Sequence, residues 1–349
     1  MRIFRKLLFP TLLLLIVSLP IHAWQEKSSL EQILREEGIK PYKEPIHLQS
    51  KEWLIKEFGP GREYPINLSL ATKNIVWQMR EKILKGEEDP INGIIRTFWY
   101  THIKSVFARA DSLSEQTDQS DVLSKVLVHL VRERNIMRYK DMGFLDRNHG
   151  TQRIDNNWHV MLIGEKHGKC AVLDQIAKEI RCTVFTLGGQ PSLLSMEFIC
   201  DRYKEKNIDI RKSMYLIFVV DYDPSGWIIR DSVVRDLKFY GIKNIKPIDI
   251  VLPEILTPQE LELAKIPLKE SQQVQNEKWL AISGGINGEL YGFESDSIPF
   301  ERLRQKILEI ATPYVGDPEN IRRANTVKEL ASALRRVVEI LTGLRTINQ

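Results

Sequence analysis

The sequence predicts an α/β protein, in which a mostly parallel sheet with covering helices follows a helical module. Three observations predict it. Strand-like and helix-like segments alternate from Trp158 to Leu252, the pattern that builds a parallel sheet. Within that alternation, residues 214–220 (MYLIFVV) form an almost unbroken apolar run rich in β-branched and aromatic types, as in a strand buried on both faces. Ahead of it, three stretches with helical apolar spacing end in a basic, loop-rich segment. A length of 349 residues suits about two domains. An apolar fraction of 43% with 28% charged residues excludes disordered and fibrous classes.

Residues 1–23 open with Arg2, Arg5 and Lys6, continue as an uncharged apolar stretch, and reach Ile21-His22-Ala23. This is the layout of a secretory signal peptide, or of a short membrane anchor; a mis-assigned start is the alternative. Three of the surplus positive charges lie there, so the net charge of +4 does not argue for nucleic acid. Cys170, Cys182 and Cys200 are odd in number and lack metal-type spacing. They read as small buried hydrophobes rather than an exported disulfide set.

Residues 24–69 form a polar segment broken by Pro41, Pro45, Gly59-Pro60-Gly61 and Pro65. Residues 70–153 carry helices at about 70–85, 92–107 and 120–134, then a basic stretch with Arg132, Arg134, Arg138, Lys140, Arg147 and Arg153. Three short helices and a hairpin-like basic tail are similar to a winged-helix DNA-binding module. A plain helical domain with a solvated basic loop is the alternative. Residues 154–315 hold the sheet. Residues 316–349 predict an amphipathic helix, with Thr326 and Glu329 as a capping box. Val327, Leu330, Leu334, Val337 and Leu341 line one face, expected to serve packing, with a dimer contact as the alternative, and Gly343 is the expected stop.

Asp221 and Asp223 sit where the 214–220 strand should end, before Pro224-Ser225-Gly226. Side chains two residues apart on a strand point the same way, and ligands gather at the carboxyl ends of parallel strands. Two readings follow: a divalent-cation site, or an Asx-type turn capping the next helix. Glu165 ends the preceding strand and would fall on the same edge. Three carboxylates there would repel unless a cation neutralised them. Oxygen-only ligation suits Mg²⁺, and the lack of a nearby His or Cys argues against zinc.

These residues carry a resemblance. Glu165-Lys166, Gly189-Gln190-Pro191-Ser192 and Asp221-Tyr222-Asp223-Pro224-Ser225-Gly226 resemble a Rossmann-like TOPRIM domain. More narrowly, they resemble the form found in the A subunit of topoisomerase VI and the meiotic double-strand-break proteins. Thr257-Pro258-Gln259-Glu260, Ile266-Pro267 and Phe293-Glu294-Ser295-Asp296-Ser297-Ile298-Pro299 extend it, over about residues 90–305. The family carries its catalytic tyrosine on a winged-helix domain, four residues after an arginine. Arg96-Thr97-Phe98-Trp99-Tyr100 has that spacing, with Trp99 where the family commonly has Tyr or Phe.

The resemblance implies Tyr100 as nucleophile, with Arg96 and Glu165 assisting. It implies Mg²⁺ on Glu165, Asp221 and Asp223, and Arg132, Arg134, Arg138, Lys140 and Arg147 on double-stranded DNA. It further implies a type IIB topoisomerase A-subunit-like activity in a homodimer, a separate ATP-dependent B-type subunit, no small-molecule cofactor, and a DNA-associated intracellular location that conflicts with an export signal. Two rivals stand beside it. One is a TOPRIM nuclease that uses water, with Tyr100 in the core. The other is a non-enzymatic DNA-binding or exported protein.

Overall fold

The computed structural model describes residues 30–114, 116, 118–189, 192–269, 272–316 and 318–347. The signal-like segment 1–23 and Gln190-Pro191 lie outside them. The chain divides into two compact units that meet at Leu145 and Asp146. Among the described residues, no helix is long and apolar enough to cross a membrane.

The first unit is helical. Helix α1 (Lys51–Phe58) is capped by Ser50, and α2 (Leu68–Lys85) by Asn67. Gly86 ends α2 at φ 72°, a left-handed stop that glycine adopts without a Cβ penalty. The second expected helix starts later, because Asn92 is left-handed at φ 46°. It runs as α3 (Ile95–Phe98), a π-helical turn (Trp99–Ile103) and α4 (Lys104–Arg109). The third is α5 (Ser120–Val128), continued by a π-helical turn over His129–Glu133.

Between helical residues 30–36 and α1 the chain is irregular but stitched to α2 by two buried amides. Asn74 Oδ1 accepts from Lys40 N at 2.9 Å, and Asn74 Nδ2 donates to the Gly38 carbonyl at 3.1 Å. Gln78 Nε2 donates to the carbonyls of Tyr42 and Glu44, and Gln78 Oε1 accepts from Ile46 N. A segment that lacks its own ladder must place its backbone groups somewhere, and these two side chains take them. Ile39, Ile46, Leu54, Phe58 and Ile66 are buried there.

The expected basic hairpin does not form among the described residues. Residues 134–151 instead make turns and two single 3₁₀ turns, Tyr139–Met142 and His149–Thr151. Their backbone pairs with the chain before α3. Ile91 N donates to the Met142 carbonyl, Asn92 N to Gly143, and Leu145 N to Gly93. Asp141 anchors the turn by accepting from Arg138 N and Arg80 Nε, both at 2.9 Å.

The second unit is α/β. Strands β1 (Gln152–Arg153), β2 (Asn157–Gly164), β3 (Cys182–Thr186), β4 (Met214–Val219) and β5 (Ile245–Asp249) form one sheet in the order β1-β3-β2-β4-β5. Only β1 is antiparallel. The helices between the strands are α6 (Cys170–Ile180), α7 (Leu193–Glu205) and α8 (Pro224–Phe239). Val160, Leu162, Ile217 and Val219 pack with Leu173, Ile176 and Ile180 of α6. Strand β5 contains Pro247, paired with Leu216. Proline is tolerated because β5 is an edge strand, where a missing N–H breaks no ladder bond.

Beyond the sheet lie α9 (Pro258–Ala264), β6 (Ile266–Pro267), α10 (Gln273–Ser283), β7 (Tyr291–Gly292), α11 (Phe300–Val315) and α12 (Pro318–Ile347). Three expectations for the last helix are corrected. It begins at Pro318, whose fixed φ suits a first turn, so Thr326 and Glu329 are interior rather than a cap. It also runs through Gly343 to Ile347, because one interior glycine costs only about 1 kcal/mol. Its apolar residues Val327, Leu330, Leu334 and Val337 are exposed, not packed.

Candidate functional site

Strands β2 and β4 are parallel neighbours, with Gly164 opposite Val219. Their carboxyl ends therefore deliver Glu165 and Asp221 side by side. Asp221 N donates to Glu165 Oε2 at 3.1 Å, and Glu165 N to the Val219 carbonyl at 3.3 Å. Asp223 is the N-cap of α8, accepting from Gly226 N at 2.7 Å. The helix-capping reading of this pair is thus realised for Asp223, while Asp221 turns to other partners. Gly226 is needed at this corner, since a Cβ there would lie 2.1 Å from the Asp221 carbonyl oxygen.

A second chain segment closes over the edge. Tyr222 and Phe293 form an antiparallel bridge, with N–H to carbonyl bonds of 2.9 and 3.2 Å. Gly292 permits the approach, because a Cβ would meet the Tyr222 carbonyl at 2.4 Å. The bridge fixes Glu294, Ser295 and Asp296 against Asp221. Ser295 donates to Asp221 Oδ1 through both its backbone N and its Oγ, each at 2.8 Å.

The cation among these carboxylates is the Lys166 ammonium. Its Nζ lies 3.0 Å from Asp221 Oδ2, 3.1 Å from Glu294 Oε2 and 3.4 Å from Asp296 Oδ2. Lys169 Nζ, largely buried, contacts Asp296 Oδ1 at 2.7 Å and donates to the Ser295 carbonyl. Among the described residues, no three His, Cys, Asp or Glu groups stand ready-made to hold a metal ion. The oxygen donors are nonetheless gathered at one edge. A cleft of about 270 Å³ opens beside Asp221 and Asp223, walled by Ile266, Leu268 and Phe293.

Titration follows from these surroundings. Burial raises the Glu165 carboxyl above its ordinary range; the Asp221 N–H opposes this, and the charges of Asp221 and Asp223 add to it. Burial likewise raises Asp223, partly offset by the Gly226 N–H. Burial lowers Lys166, but its hydrogen bonds to Asp221 and Glu294 outweigh that and hold its proton more tightly than usual. The hydrogen bond from Lys169 lowers Asp296.

In the first unit, Phe98 and Trp99 are buried, whereas Tyr100 is 49% exposed. The aromatic trio is therefore two core residues and one surface residue. The π-helical turn matters here, because the extra residue re-aims side chains relative to a regular α-helix. Arg96 Nη2 donates to Tyr100 Oη at 3.2 Å. The Arg96 guanidinium lies 5.7 Å and Lys104 Nζ 5.2 Å from the Tyr100 ring centroid.

The expected DNA contacts are divided between the two units. Arg134 is engaged in the first unit, with Nη2 2.5 Å from Glu36 Oε2 and Nε 2.7 Å from Glu37 Oε1. Arg132 and Arg138 are half-buried, and Lys140 is exposed. Arg147, also exposed, belongs to the second unit. Arg153 pairs with Asp155 at 2.5 Å and Asp174 at 2.6 Å. The basic count was readable along the chain, but the acidic partners of Arg134, Glu36 and Glu37, are distant in sequence.

Sequence reasoning assigned no role to Ser295 or Lys169. For Ser295 the signal was its place in the Phe293–Pro299 stretch, between Glu294 and Asp296, which the Tyr222–Phe293 bridge brings to the edge. No protein-family model matches this chain, and no match is found among curated proteins.

Proposed function

We propose that the chain is a Mg²⁺-dependent DNA-cleaving enzyme that works by transesterification through Tyr100, similar to a type IIB topoisomerase A subunit. In this reading the second unit is a TOPRIM domain and the first is the tyrosine-bearing, winged-helix-like domain. The observation that carries it is the carboxylate edge. Glu165 and Asp221 meet at adjacent strand ends, an open cleft borders Asp221 and Asp223, and the Lys166 ammonium is drawn to Asp221, Glu294 and Asp296. The donor set suits a hard divalent ion. Glu165, Asp221 and Asp223 would hold it, and bound there it would offset charge on a phosphodiester.

The rest of the chemistry falls to the chain's own groups. The Tyr100 hydroxyl faces solvent and is an available nucleophile. Arg96 donates a hydrogen bond to its oxygen. In the step, a Tyr100 Oη–P bond forms and the P–O bond to one sugar breaks. The phenolic proton leaves to solvent, and the freed sugar oxygen takes one up. The reverse attack by that hydroxyl restores the strand and the tyrosine. Double-stranded DNA, a second copy and a B-type ATPase subunit are the partners this reading requires.

The test is supercoiled plasmid with Mg²⁺, quenched in denaturant to trap protein on DNA ends. Wild-type protein should yield protein-linked breaks, and Tyr100→Phe should yield none while unfolding at the same temperature. Breaks that persist in Tyr100→Phe with no protein attached would make water the nucleophile and end the tyrosine reading.

A further inference from the structure

We propose that helix α12 packs along a second copy of itself, joining two copies of this chain through a short coiled coil. Val327, Leu330, Leu334 and Val337 recur at alternating steps of three and four, and the same spacing continues in the sequence to Leu341 and Leu344. These are the a and d positions of a heptad, whose 3.5-residue period suits a supercoiled helical partner. The four described members are 50–66% exposed. A line of large aliphatic side chains left in water on one helix marks an interaction surface.

The pattern also says what covers it. With Val327 at position a, every charged residue between 326 and 344 falls at b, c or f: Lys328, Glu329, Arg335, Arg336 and Glu339. The e and g positions over that stretch hold Thr326, Ala331, Ala333, Val338 and Ile340. Two copies can therefore meet with no like charges opposed across the seam, and the small alanines allow close approach. The outward face mixes both signs, unlike the mainly cationic face of a helix lying on anionic lipid. The helix that carries this pattern, residues 327–344, is about 27 Å long. This inference does not depend on the reading of Tyr100 or the carboxylate edge.

The experiment is mass measurement by light scattering on the full chain, over an about 100-fold concentration range. It compares wild type with Leu334→Glu on the seam and Ser332→Glu on the opposite face. Wild type and Ser332→Glu should share one assembly, and Leu334→Glu should fall to about half its mass or less. Matching thermal unfolding of the three proteins would show that the fold is untouched. Equal masses for wild type and Leu334→Glu overturn the proposal. If, with equal masses, only wild type floats with phosphatidylserine vesicles, the face is a lipid-binding one instead. If masses are equal and neither floats, the face is covered within a single chain.

Discussion

Replacing Lys166 with methionine isolates what holds the carboxylate edge together. The ammonium sits 3.0–3.4 Å from one oxygen each of Asp221, Glu294 and Asp296. A single pair at that distance is worth about 5 kcal/mol of gross attraction at an effective dielectric of about 20. Desolvation offsets most of it, and the Lys166 side chain is 35% exposed, so solvent screening cuts the remainder. Asp221 is nearly buried and would keep its two Ser295 hydrogen bonds. The net cost in metal-free buffer is therefore about 1–2 kcal/mol. For a unit of this size that lowers the melting temperature by roughly 2–8 °C.

Magnesium should act in the opposite sense on the same variant. A divalent ion at this edge competes with the ammonium, so Lys166→Met should bind Mg²⁺ more tightly than wild type. Its melting temperature should rise further as Mg²⁺ is added, by mass action on the folded state. Differential scanning calorimetry with a magnesium series measures both effects. The reasoning is refuted if Lys166→Met melts with wild type in metal-free buffer, or if magnesium shifts neither protein.

Three further outcomes follow from the same geometry. Glu165 and Asp223 are both raised in the folded state, so the native protein binds protons more tightly there than the unfolded chain. Metal-free stability should therefore fall as pH rises from the ordinary carboxylate range through the raised folded values, and Glu165→Gln should flatten that slope in pH-resolved melting curves. Gly226→Ala places a methyl group against the Asp221 carbonyl, 2.1 Å away before relaxation; chemical denaturation should show a loss of about 1–3 kcal/mol. Gln78→Leu strips the carbonyls of Tyr42 and Glu44 and the Ile46 N–H of their partner; a loss of about 1–3 kcal/mol, with faster amide exchange confined to residues 40–48, is the expected reading.

The α/β class and the parallel strands were legible because β2, β3 and β4 are buried on both faces, and burial on both faces leaves continuous apolar runs. The placement of Glu165, Asp221 and Asp223 at one edge followed from the same runs, because parallel strands share a direction. The helix stop at Gly86 was readable for a local reason: a left-handed residue is a property of one position. The start of α5 at Ser120 likewise agreed with the apolar spacing of its own residues.

What the linear pattern left undecided depends on partners far apart in the chain. The basic stretch reads as a phosphate-binding tail until Glu36 and Glu37 are found on Arg134, nearly 100 positions away. Residues 38–46 read as part of an irregular polar segment until Asn74 and Gln78 are seen to hold their backbone. The Asp221 and Asp223 pair offered two roles, and only the fold assigned capping to Asp223 and the Ser295 and Lys166 contacts to Asp221. The amino-acid order by itself determined strands β2, β3 and β4, the carboxylate edge and the apolar stripe on α12, since each rests on short-range periodicity. Tertiary structure alone decided that Tyr100 stands in solvent beside two buried aromatics, and that a lysine lies among the acids, because burial and ion pairing are settled only when distant segments meet.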